Sequence, residues 1–158
     1  VLAYAARIGV QLESGDYFPL WGSADPQDRN ALALVMAGMG AVYLGVRLAQ
    51  SDMNQIEATN GACVLVPDNS AYGDTTPGSA GGHCLLGWSY TGLADTDTLD
   101  LLTWGTIQRA TWGWLKSRIM EAHGLVWPQL TLSSGLYPTG PDLDALRAQN
   151  AAFLNCDA

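Results

Sequence analysis

Between Pro77 and Trp114 two apolar runs stand either side of a polar turn, and no other stretch restricts the fold as much. The first run is Pro-Gly-Ser-Ala-Gly-Gly-His-Cys-Leu-Leu-Gly-Trp-Ser-Tyr, and the second is Leu-Asp-Leu-Leu-Thr-Trp-Gly, followed by Ala-Thr-Trp-Gly-Trp. Gly81 and Gly82 let the backbone approach a neighbour closely, and the apolar residues that His83 opens suit a buried strand. Gly92 and residues 94–98 make a turn. Leu99 to Trp104 then form a second strand, most simply paired antiparallel with the first. This predicts a hairpin with His83 at one end of it and Trp104-Gly105 closing its second strand.

Gly82-His83, Leu102-Thr103-Trp104-Gly105 and Trp112-Gly113 stand in the order of three motifs in the C-terminal half of papain-like cysteine peptidases. There Gly-His opens one strand, Asn-Ser-Trp-Gly closes the next, and a further Trp-Gly follows. The chain is still more similar to a divergent papain-like group carried by tailed bacteriophages, in which Thr-Trp-Gly replaces the usual motif. The likeness extends upstream through an apolar helix and strand ending near Leu48, and downstream to a Leu-rich terminal helix. It implies an α+β, papain-like fold: a small antiparallel sheet or half-barrel with flanking helices. Residues 1–128 would form that domain, lacking its Cys-bearing side, and residues 129–158 a linker and C-terminal helix.

Catalysis of that kind needs a thiolate, an imidazole to share its proton, a group to orient the imidazole, and an oxyanion donor. The resemblance assigns the imidazole to His83, with Thr103 and Trp104 beside it. It puts the nucleophile and the oxyanion glutamine in an N-terminal half that precedes this chain. Leu102 occupies the place of the orienting Asn, and its side chain accepts no hydrogen bond. The resulting expectation is a catalytically degenerate papain-like domain, with His83 a relic, acting as a structural or interaction protein among the subunits of a phage virion. Two alternatives stay open. One is the C-terminal portion of an active cysteine peptidase whose Cys and Gln lie upstream, with Thr103 or a water orienting His83. The other is a cell-wall or carbohydrate-binding module using exposed tryptophans.

Charge narrows the partners. Fifteen Asp and Glu against seven Lys and Arg give a formal net charge of -8, and no basic cluster offsets it. Nucleic-acid affinity comes from basic side chains on phosphates, so nucleic acid is not an expected partner. The longest apolar run, Ala31 to Val46, falls short of the roughly 20 residues of a membrane span. Cys63, Cys84 and Cys156 are odd in number and lack CxxC spacing, which predicts neither a disulfide framework nor a zinc site. No cofactor or metal is called for. His83 and His123 are too far apart in sequence for a metal signature, and Asp95, Asp97 and Asp100 lack the glycine and distal glutamate of a calcium loop.

Taken in order, Val1 to Ile8 reads as a helix end stopped by Gly9. Tyr17 to Trp21 reads as a short strand that Pro19 confines to an edge. Asp25-Pro26 should cap a helix running to about Ala37, with Leu32, Val35, Met36 and Met39 on its buried face. In 41–48 the alternation puts Val42, Leu44, Val46 and Leu48 on one face of a strand. Residues 51–81, rich in Asp, Asn, Ser, Gly and Thr, read as a surface excursion beside the His83 cleft, either capping it or merely solvated. Thr111 should cap a short helix from Trp112 to about Ser117, and Ile119 to Trp127 should add a strand. Pro141 to Asn155 reads as a last helix, able to dock on its own body or on a neighbour.

The thiols divide by position. Cys84 follows His83 on a strand and so faces away from it, which reads as a small buried hydrophobe. Cys63 sits in the excursion, where nothing places it on a helix N-terminus. Trp21, Trp112, Trp114 and Trp127 read as packing residues, and His123 as a surface partner of Glu121.

Overall fold

The computed structural model describes residues 10–12, 15–17 and 20–126, together with Ala148 and Ala151, both helical. The expected helix at Val1 to Ile8, Trp127, and nearly all of the linker and C-terminal helix lie outside the described residues.

Between Val10 and Val126 the described residues form nine strands and three α-helices in an α+β arrangement. A two-stranded piece pairs β1 (Val10–Leu12) with β2 (Gly15–Tyr17). A seven-stranded sheet follows. It comprises β3 (Leu20–Ala24), β4 (Val42–Leu48), β5 (Val64–Leu65), β6 (Gly81–Tyr90), β7 (Thr98–Thr103), β8 (Thr106–Thr111) and β9 (Ile119–Val126). Their order is β3-β9-β4-β6-β7-β8-β5, antiparallel throughout except for the short parallel β5–β8 pair. The expected hairpin is β6 and β7, in register Leu86↔Leu102 and Tyr90↔Leu99. The expected edge strand is β3. It begins at Leu20, so the predicted strand at Tyr17 to Trp21 is divided between β2 and β3.

Period two decides what the sheet buries. Val42, Leu44, Val46 and Leu48 of β4 join Leu85, Leu99, Leu101, Ala110 and Ala122 in one buried cluster. Leu32 and Met36 of helix α1 (Arg29–Met39) and Trp114 and Leu115 of α3 (Trp112–Arg118) complete it. Thr111 caps α3, its hydroxyl accepting from the Trp114 amide. The start of α1 corrects the sequence reading. Asp28, not Asp25, is the cap, because its carboxylate accepts from the amides of Asn30 and Ala31 while residues 25–28 make a turn. Gly40, at φ 83°, ends the helix in the left-handed conformation that glycine adopts without a Cβ penalty.

Residues 51–81 are not an irregular excursion. They open with helix α2 (Gln50–Thr59) and continue through β5 and a 3₁₀ turn at Ser70–Tyr72. The helix escaped the pattern because the residues it buries are Ser51, Asp52 and Gln55, so no apolar stripe marks it. Asp52 is fully buried and accepts from Arg118 Nε (2.9 Å), Trp114 Nε1 (3.0 Å), Asn69 Nδ2 (3.1 Å) and the Ala49 amide (2.8 Å). Asn69 is held in turn by Ser51 and Gln55. A buried charge is tolerable only when so satisfied, and this one ties α2, α3 and the 66–72 loop together.

Candidate functional site

β6 and β7 bring His83 and Thr103 together at the ends away from their connecting turn. His83 Nε2 lies 2.6 Å from Thr103 Oγ1. Both side chains stand on the helix-covered side, among Leu48, Leu85 and Leu101, which line a small void with them. Thr103 is buried and the imidazole half-buried. Loss of water around the ring pushes the His83 pKa below its ordinary 6.5, so the imidazole is neutral at neutral pH. With Nε2 engaged by the hydroxyl, Nδ1 has no partner among the described residues.

Trp104 closes the arrangement. Its ring stacks on His83, with centroids 4.2 Å apart and planes 14° from parallel. Trp104 and Gly105 are the two residues between Thr103 and Thr106, which pair with each other, and they have φ of 47° and 74°. Positive φ at both central positions is the signature of the tight hairpin turn that matches strand twist, where Asn-Gly or Asp-Gly is usual. A tryptophan in that conformation costs about 1–2 kcal/mol. The stack on His83 is what the strained residue achieves. This turn and strand β8 were not read from the sequence, because Trp-Gly carries no ordinary hairpin signal.

Leu102 does not orient the imidazole, as its chemistry requires, but neither does it stand where an orienting group belongs. Alternation turns it to the opposite face, where it is 45% exposed, and leaves Thr103 beside the ring. Of the two orienting groups expected in place of Leu102, Thr103 and a water, it is Thr103 that contacts the ring.

Neither described thiol reaches the imidazole. Cys84 faces away, as expected, but it is exposed rather than buried, because no described helix covers that side of β6. It lines a cavity of about 300 Å³ with Tyr43, Leu86, Leu102 and Trp104. A hydrogen bond with Cys84, aided by burial, pushes the Tyr43 hydroxyl up to about 12. Cys63 is half-buried against the core, its sulfur 3.7 Å from Gln108 Nε2.

On the same open face His123 Nε2 lies 3.6 Å from Glu121, the pair expected from their spacing, and its Nδ1 lies 3.3 Å from Ser23 Oγ. Ser23 enters through the β3–β9 register, which the sequence does not announce. Among the turn acids, Asp95 pairs with Arg29, Asp97 accepts from the Ala94 amide, and Asp100 pairs with Arg109 at 3.1 Å. Among the described residues, no group of three or more His, Cys, Asp or Glu side chains is placed to hold a metal ion. None of their helices is long and apolar enough to cross a membrane. Trp21, Trp112 and Trp114 are buried, leaving Trp88 and Trp104 as the exposed tryptophans of this region.

No family model, curated protein or solved structure matches the chain.

Proposed function

We propose that this chain is the histidine-bearing half of a papain-like cysteine peptidase site. The observation that carries the reading is the His83–Thr103 contact roofed by Trp104. In this role Nε2–H donates to the Thr103 hydroxyl, which leaves the Nδ1 lone pair to take the proton of a thiol supplied from outside these 158 residues. Trp104 keeps water from the His83–Thr103 bond, and desolvation keeps the ring neutral until it accepts that proton. The thiolate would then attack a peptide carbonyl, and the imidazolium would return its proton to the leaving amine.

A second reading keeps the fold and removes the chemistry: a degenerate papain-like subunit in a phage particle. It is favoured by the distance of Cys63 and Cys84 from Nδ1, neither of which bonds to His83. The two readings part in one experiment. The natural gene product is treated with an epoxysuccinyl probe that alkylates peptidase thiols, and the labelled residue is mapped by mass spectrometry. The peptidase reading expects a labelled cysteine outside this chain and loss of labelling in His83→Ala. No labelling, or labelling indifferent to His83→Ala, contradicts it and favours the scaffold.

A further inference from the structure

We propose that Ser23, His123 and Glu121 form a nucleophile, a base and an orienting acid that hydrolyse small carboxylic esters on the sheet face opposite His83. The proposal goes beyond the peptidase reading and does not rest on it.

The register builds the set. β9 runs between β3 and β4, and Ser23, His123 and Tyr43 are direct cross-strand partners in one row. Glu121 lies two residues before His123 on the strand and so shares its face. Ser23 Oγ is 3.3 Å from His123 Nδ1, and Glu121 Oε2 is 3.6 Å from Nε2. A hydroxyl on one ring nitrogen and a carboxylate on the other is the polarity that general-base activation of a serine requires. With the ring proton on Nε2, facing Glu121, the Nδ1 lone pair faces the hydroxyl.

Two features of the strands hold Glu121 in place. Gly45, its partner on β4, has no side chain, and a Cβ there would come within 2.5 Å of Glu121 Cγ and 2.6 Å of Oε1. Gly45 has no positive φ, so what this glycine provides is room for the carboxylate rather than an unusual backbone. Just past Glu121 the β4–β9 register slips, with Val46 opposite Ile119, so that Met120 is the extra residue of a bulge. Bulges re-aim side chains and recur beside active sites. The His123 side chain is only 18% exposed, whereas Ser23 is open to a substrate.

The chemistry closes on these three residues. Nδ1 takes the hydroxyl proton as Ser23 Oγ bonds to the ester carbonyl carbon. The adduct collapses with cleavage of the ester C–O bond, and the imidazolium gives its proton to the departing alcohol. Water, deprotonated by the same nitrogen, then hydrolyses the acyl-serine and restores both residues. Glu121 faces the imidazolium and stabilises its charge. Esters are the substrate class because Ser23 and Glu121 stand in water, where electrostatic help to a tetrahedral anion is weak, and an alkoxide or phenoxide leaves more readily than an amine.

The full chain is treated with a fluorophosphonate probe, which phosphonylates activated serines with loss of fluoride, and its peptides are mapped; hydrolysis of p-nitrophenyl acetate is followed in parallel. The expected label is on Ser23, formed about 100-fold more slowly in His123→Ala, with ester hydrolysis lost in Ser23→Ala. Glu121→Ala should slow labelling as well and turn a single Nε2–H tautomer of His123 into a mixture by ¹⁵N NMR, which loss of a carboxylate that merely packs on Gly45 would not do. Circular dichroism checks the fold of each variant. No label on Ser23, a label indifferent to His123→Ala, ester hydrolysis that survives Ser23→Ala, or a His123 tautomer unchanged by Glu121→Ala would overturn the proposal.

Discussion

The two faces of the central sheet are built from the same strands and have opposite fates. On one, Leu44, Leu85, Leu99 and Leu101 are buried under α1 and α3. On the other, Cys84 and Leu102, one step along the same strands, and Ile107 of β8 remain open. His83 and Cys84 are the sharpest pair: adjacent in sequence, one is held in a desolvated arrangement and the other lies on the open side. The covered face therefore carries stability and the His83 site. The open face contributes little to stability among the described residues.

The largest expected effect lies where charge is buried on the covered side. Asp52→Ala removes the acceptor of Arg118 Nε and Trp114 Nε1 and one of the two acceptors of Asn69 Nδ2, and should cost about 3–5 kcal/mol, read by urea denaturation. Next, Leu101→Ala should cost about 2–5 kcal/mol because it leaves a cavity in a closed core. Its neighbour Leu102→Ala should stay within about 0.5 kcal/mol, as exposed positions usually do. Equal losses at 101 and 102 would erase the distinction between the faces.

Smaller effects are read by titration. The His83 pKa lies below 6.5 because of desolvation, so Trp104→Ala, which admits water, should move it back toward 6.5 in an NMR titration. The sign for stability follows. His83's contribution is fully present above pH 6.5, where both states are neutral, and is lost as pH falls toward the depressed folded value, because the unfolded chain protonates first. On the open face, Cys84→Ala removes the first cause of the raised Tyr43 pKa. Ultraviolet titration should then show one tyrosine fewer ionising near 12 and one more nearer 10.

Much of the scaffold was legible because it obeys simple periods. The alternation of 42–48, the β6–β7 hairpin, Thr111 as a cap and the strand from Ile119 could all be read from local pattern. Helix α2 could not, since its buried face is polar and its partners Trp114 and Arg118 lie more than 60 positions away in sequence. At the site, His83 and Trp104 stood out as residue types. Thr103 is readable as a possible orienting group, but its contact with His83 emerges only when pleating turns Leu102 away, and the exposure of Cys84 only when no described helix covers its side.

The most direct test is the tautomer of His83, read by long-range ¹⁵N NMR of the imidazole in the native chain and in Thr103→Val. The expected result is a single neutral Nε2–H tautomer in the native chain, becoming a mixture in the variant. A native Nδ1–H tautomer, or the same population in both proteins, would contradict it, because Nδ1 would then have no lone pair to offer or Thr103 no hold on the ring.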